Sequence, residues 1–261
     1  GSVTSGKIDS NVTSGSASSG NVTISAYGNL TTNSNSINSS NSGTGAGGTV
    51  NLTTSGTGSV QLGQILTGVT NATSNAAAGN ITIFSAGAID MNGQAINSSN
   101  SGSGAGGTLT LTSDTFSVAT AAIDTHATSG YAPAGNVFIS ALQDISTDDI
   151  NSAHGGTGTG GSVTLVRAAA MKTGNIDSSS SGFVGGSIIA AAVGDNGKYS
   201  LKMGNLNTSG LTAAGSVMLV ADDFGDMPSE IGNITAQASG SSGVGGAVGV
   251  ATLGKLTIAI S

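Results

Sequence analysis

The sequence predicts an all-β fold: one parallel β-solenoid of about nine rungs, each about 28 residues long with three short strands. Three observations predict it. A short apolar pair recurs nine times at intervals of 25 to 31 residues. A glycine stands two residues before that pair in every copy. No stretch carries the 3.6-residue apolar period of a helix, whereas apolar residues at i and i+2 mark a strand with one buried face.

The apolar pair starts at Val22, Val50, Ile81, Leu109, Val137, Val163, Ile188, Val217 and Val248. Its second members are Ile24, Leu52, Ile83, Leu111, Ile139, Leu165, Ala190, Leu219 and Val250. The preceding glycines are Gly20, Gly48, Gly79, Gly107, Gly135, Gly161, Gly186, Gly215 and Gly246. A glycine held at a strand start implies positive φ or a close backbone approach, and stacked corners are expected to need both.

A second unit reads apolar, then Asn or Asp, then Ser or Thr. It occurs as Ile8-Asp9-Ser10, Ile37-Asn38-Ser39, Ile96-Asn97-Ser98, Ile123-Asp124-Thr125, Ile150-Asn151-Ser152, Ile176-Asp177-Ser178 and Leu206-Asn207-Thr208. Ile65-Leu66-Thr67 and Ile234-Thr235-Ala236 are looser copies. A third apolar patch falls at Leu30, Val60/Leu62, Ile89, Phe116/Val118, Ile145, Met171, Leu201 and Leu256. The stretch Ile37–Leu52 (INSSNSGTGAGGTVNL) returns 59 positions later as Ile96–Leu111 with three substitutions, a duplication of two rungs. Repetition at such a period is the mark of a solenoid, in which each unit buries its apolar face only against its neighbours.

Composition agrees. Gly numbers 44 and Pro 2, Trp is absent, and charged residues are 7% against about 25% in ordinary globular chains. The low complexity is that of a regular structure, because Val, Ile and Leu return at fixed intervals. With no Cys, disulfides and thiolate sites are excluded. Six basic residues against thirteen acidic, net -7, disfavour nucleic acid and anionic membrane surfaces. No apolar run is long enough for a spanning helix, so no membrane insertion is expected. Gly1-Ser2 resembles a cloning scar and is set aside; residues 3–261 are expected to form one continuous solenoid.

Stability is expected from columns of like residues along the axis. Asn38, Asn97, Asn151 and Asn207 are expected to form an amide ladder, interrupted by Asp9, Asp124 and Asp177. Lys198–Met203 and the charged stretch Asp222–Glu230 are expected to bulge out as loops. The first strand is expected at Ile8 and the last at Leu256, with both ends meeting further rungs of the same or another copy.

Candidate chemistry is sparse. Asp144, Asp148 and Asp149 lie near His154 and Arg167, as an acid–base pair would require. They read better as solvated turn residues, and no catalytic residue is assigned. Asp222, Asp223, Asp226 and Glu230 are the candidate oxygen ligands for Ca²⁺, though their spacing matches no EF-hand loop and a solvated loop is the favoured reading. No cofactor is expected. His126 reads as a surface residue. The Gly-rich runs at 43–48 and 102–107 lack the Lys-Ser/Thr of a phosphate loop. The residues between the apolar pairs begin as a Thr-rich row (Thr23, Asn51, Thr82, Thr110) that decays after Phe138.

Units such as GNVTI, GNITI, GGTVNLTT and INSSNSG resemble the repeats of filamentous-haemagglutinin-like and autotransporter-type bacterial surface proteins. The resemblance spans essentially the whole chain. It implies a right-handed parallel β-helix, secretion, and a stalk or adhesin role at the cell surface or outside the cell. That family's secretion domain carries Asn-Pro-Asn motifs; no Asn-Pro occurs here, so the likeness is to the shaft. The expected function is therefore structural: stalk, filament subunit or adhesin shaft, not an enzyme. A carbohydrate- or ice-binding module is the alternative, with surface glycans as a further partner, and a polysaccharide-degrading β-helix comes after it.

Overall fold

The computed structural model describes residues 1–193, 200–221, 229–252 and 256–258. Among them every regular element is a β-strand. One turn of chain lays down a long strand and two short ones, as in Val50–Thr54, Val60–Gln61 and Ile65–Leu66. The turns stack into three parallel sheets of nine, nine and ten strands. Nine copies of the long strand, from Val22–Ala26 to Val248–Thr252, bracket eight complete turns. At about 4.8 Å per rung the rod is about 40 Å long.

The apolar pair is the inner face of the long sheet. Val22 lies on Val50, Val50 on Ile81, Ile81 on Leu109, and so on in unbroken register to Val248. Val50 and Leu52 point inward while Asn51 and Thr53 point out. The fifth position also points inward, at the point where the chain turns. It is small or hydroxylated: Ala26, Thr54, Ser85, Ser113, Ala141. The hydroxyls there satisfy turn carbonyls, Thr54 Oγ1 donating to Gly58 O at 2.6 Å and Ser113 Oγ to Gly87 O at 2.8 Å.

The second sheet stacks Leu30, Val60, Ile89, Val118, Ile145, Met171 and Leu201. Phe116, paired with Val118 in the sequence reading, is 47% exposed on the preceding turn and lies outside this patch. This sheet also begins earlier than expected, because Val3–Thr4 pairs with Leu30–Thr31. Its later strands include Ser200–Met203 and Ser229–Ile231. The two expected loops are thus corrected at their ends, where Leu201, Met203 and Ser229 turn buried side chains inward. Lys198 and Asp222, Asp223 and Asp226 lie outside the described residues. The third sheet stacks Ile8, Ile37, Ile65, Ile96, Ile123, Ile150, Ile176, Leu206 and Ile234.

All described buried apolar side chains are aliphatic or Met. A column repeating every ~4.8 Å suits branched aliphatic groups that nest on copies of themselves. Each such side chain, fully buried, contributes about 1.5–3 kcal/mol.

The glycine corner joins the third sheet back to the long one. The Gly48 N–H donates to Ser39 O at 2.8 Å, and Gly107 to Ser98 O and Gly161 to Ser152 O at the same distance. The Ser/Thr hydroxyl of the Ile-Asn-Ser unit points to the same corner. Thr67 Oγ1 donates to Gly79 O at 2.7 Å and Thr125 Oγ1 to Gly135 O at 2.9 Å, while Ser39 and Ser98 reach Gly20 O and Gly79 O of the rung beneath. A Cβ on Gly107 would fall within 3.0 Å of both Gly79 O and Ser98 Oγ. The expected positive φ is not found: the described positive-φ glycines are Gly15, Gly56, Gly93 and Gly130, none of them at the corner. Close approach alone dictates glycine there.

Between the Ser/Thr and the glycine the chain makes an excursion, pinched off by these hydrogen bonds. The excursions stack into a side lobe through bridges linking Val12, Asn41, Val69, Asn100, Ala127, His154 and Ser180. Asn41 and Asn100 are fully buried in it. Asn100 Nδ2 donates to Ala76 O at 2.7 Å and Ala105 O at 2.9 Å, and its Oδ1 accepts the Gly102 N–H at 2.8 Å.

The expected amide ladder does not form, because no two of these Asn are register partners: Leu66, Asp124 and Asp177 stand between them. Asn38 Oδ1 accepts the N–H of Ser40 at 3.1 Å, Asn97 that of Ser99 at 3.0 Å, Asn151 that of Ala153 at 3.2 Å. A short Asx side chain reaches the amide two residues on more readily than the next rung. Among these residues the cross-rung bond is Asn207 Nδ2 to Asp177 Oδ1, at 3.1 Å. Asp9, Asp124 and Asp177 are never direct neighbours; Asn or Leu66 separates them.

Candidate functional site

The residues from which acid–base chemistry was considered are scattered. Asp144, Asp148 and Asp149 are exposed. Asp149 Oδ1 accepts the Asn175 N–H at 2.7 Å, a turn-closing role. Arg167 stands at a bulge of the long sheet with φ 65, and its guanidinium lies 4.0 Å from Asp114. His154 is not beside them but inside the lobe, 2% exposed. The four-residue Ca²⁺ candidate reduces to Glu230 among the described residues. Glu230 pairs in register with Lys202 and sits 4.0 Å from its Nζ, both exposed, an arrangement worth little in water. Among the described residues no three His, Asp or Glu gather closely enough to hold an ion.

His126 lies beside Asp124, Nδ1 to Oδ1 2.6 Å. The hydrogen bond to Asp124 raises its pKa above 6.5; burial opposes this and the charge of Asp124 adds to it. It is a partly exposed surface pair.

Two features were not legible as sites in the sequence. His154 occupies the lobe position that Asn100 holds two rungs earlier. Its Nδ1 accepts the Gly156 N–H at 2.9 Å, as Asn100 Oδ1 accepts that of Gly102, but its buried Nε2 has no hydrogen-bond partner. The second feature is a groove of about 590 Å³ that follows the rod axis beside the corner. Its floor is the small residue before each corner glycine, as at Ala78, Gly106, Ala134 and Gly160. Its rim is a ladder in which Asn80 Oδ1 accepts the Thr108 N–H at 2.9 Å and Asn136 Oδ1 the Ser162 N–H at 2.8 Å. No charged side chain lines it. It offers neutral hydrogen-bonding groups and no acid, base or nucleophile pair. On the adjoining outer face the Thr82–Thr110 row is in register but meets Phe138, 38% exposed, on the next rung.

Fold and surface together define a parallel β-solenoid repeat protein. No protein-family model, curated protein or solved structure matches the chain.

Proposed function

We propose that the chain is a structural shaft of a secreted bacterial surface or extracellular protein, serving as stalk, filament subunit or adhesin shaft. The observation that supports this most is that one set of contacts recurs rung after rung. The corner glycine, its hydroxyl partner and three inward columns repeat along the axis, so the number of rungs sets the length and each interface stiffens the next. The motifs resembling filamentous-haemagglutinin and autotransporter shafts support the cell-surface placement. Its partners in this reading are further β-solenoid rungs, of the parent chain or of another copy.

The length claim is tested by inserting a second copy of the 59-residue unit. Small-angle scattering should show a rod longer by two rungs, about 10 Å, at constant cross-section. A swollen cross-section or an unfolded insert would refute it. Placement is tested by labelling the parent protein on intact cells; signal only after permeabilisation would refute the surface role.

A further inference from the structure

Among the described residues no aromatic side chain belongs to the buried core. All six described aromatic residues are on the outside: Tyr27, Phe84, Phe116, Tyr131, Phe138 and Phe183 are 38–87% exposed. Two of them share a concavity. Tyr131 and Phe183 border a cleft of about 400 Å³ on the lobe, together with Thr157, Gly158, Thr159 and Gly182. The volume falls within the ~300–1,000 Å³ of small-molecule sites.

The cleft spans three successive turns. The lobe runs Gly102-Ser103-Gly104, Gly130-Tyr131-Ala132, Gly156-Thr157-Gly158 and Gly182-Phe183-Val184 in consecutive repeats. The middle position is a small hydroxyl residue in the first and third of these and an aromatic in the second and fourth. The Thr157 N–H and Oγ1 both donate to Gly130 O at 2.9 Å, which seats Thr157 on the Tyr131 turn. Gly182 packs in turn over Gly156 and Thr157. Tyr131 and Phe183 therefore stand two rungs apart, about 10 Å along the axis. Between them the wall is glycine and hydroxyl. No charged side chain lines the cleft. Tyr131, 87% exposed, presents both an apolar face and a hydroxyl to solvent.

We infer that this cleft binds a neutral pyranose, the sugar ring held between Tyr131 and Phe183 with its hydroxyls toward Thr157 and Thr159. A pyranose matches each surface: its C–H faces meet aromatic rings, and its hydroxyls meet neutral hydroxyl and backbone groups. The proposal does not depend on the shaft role, since a rod with or without the sugar site gives the same scattering.

The test is saturation-transfer NMR on the intact chain with the methyl glycosides of glucose, galactose, mannose and N-acetylglucosamine, and with N-acetylneuraminic acid and indole. At least one neutral glycoside should take up saturation and shift the Tyr131 ring resonances. Tyr131→Ala and Phe183→Ala should each weaken that binding about tenfold, as loss of a ring contact of ~1.5 kcal/mol would. Tyr27→Ala, on an exposed ring outside the cleft, should leave it unchanged. Unaltered circular-dichroism melts show that the variants fold; if one fails to fold, the Tyr131 resonance shift in the unaltered chain decides. No transfer to any neutral glycoside, transfer to the acid or indole alone, or binding unchanged in both cleft variants would overturn the inference.

Discussion

Replacing Asn100 by Ala removes three hydrogen bonds from a site with no solvent exposure: two from Nδ2 to Ala76 O and Ala105 O, one from the Gly102 N–H to Oδ1. At about 1 kcal/mol net per bond the loss is about 3 kcal/mol, and the stranded Gly102 N–H and carbonyls push it upward. The lobe should loosen first, since that column is what spans it. Urea denaturation followed by circular dichroism measures the change, and hydrogen exchange at Gly102 and neighbouring amides locates it. The reverse swap sharpens the reasoning. His154 occupies the equivalent place with an orphaned Nε2, close enough to Gly158 that a Cβ there would lie 2.6 Å from it. His154→Asn should therefore stabilise by about 1–2 kcal/mol, as its Nδ2 gains Ala132 O and Thr159 O. A loss below about 1 kcal/mol for Asn100→Ala, or a loss for His154→Asn, would refute the view that amide bridging holds the lobe together.

Two further outcomes are expected. Gly107→Ala forces a Cβ against the Gly79 carbonyl and Ser98 Oγ, and should cost about 3 kcal/mol or more in denaturant titration; Gly6→Ala, with open space around it, should change little. The Asp124–His126 pair carries a pH dependence whose sign follows from its raised pKa. Its stabilisation is fully present below pH 6.5 and is lost as pH rises through the raised value. The denaturation midpoint should thus fall as pH rises from 6.5 through the raised value in the unaltered chain, and fall less in Asp124→Asn. Equal pH slopes in the two proteins would count against the pair.

The path from residues to rungs was short where side chains face one fixed environment. Val22, Val50 and their equivalents through Val217 are all buried, with Val248 the exposed exception, so their spacing alone placed the long sheet. Val118 and Phe116 were harder to separate. Both are apolar and two residues apart, and only the turn geometry sends Phe116 to solvent. Val3 and Ile231 were passed over because a strand of two or three residues leaves too little periodicity to detect. In the candidate site, Asp144, Asp148 and Asp149 are exposed between strands, and Arg167 lies near Asp114 instead of them. The Tyr131–Phe183 cleft stayed hidden because 52 positions of sequence separate residues that the coil brings two rungs apart.

The Asn-Ser-Ser-Asn run shows where the division falls. By itself the sequence determined that a solenoid forms, because period, glycine and apolar pair are local properties repeated along the chain. It also singled out Asn38 for an axial ladder and gave Asn41 no role. Only the tertiary structure decided otherwise. Asn38 sits on a strand where Ser40, two residues on, curls back to its amide oxygen, whereas Asn41 enters a lobe closed by the Gly48–Ser39 hydrogen bond, where its buried amide must bridge Ala17 O and Ala46 O. Identical side chains acquire different roles because burial, not residue type, decides which hydrogen bonds must be made inside the protein.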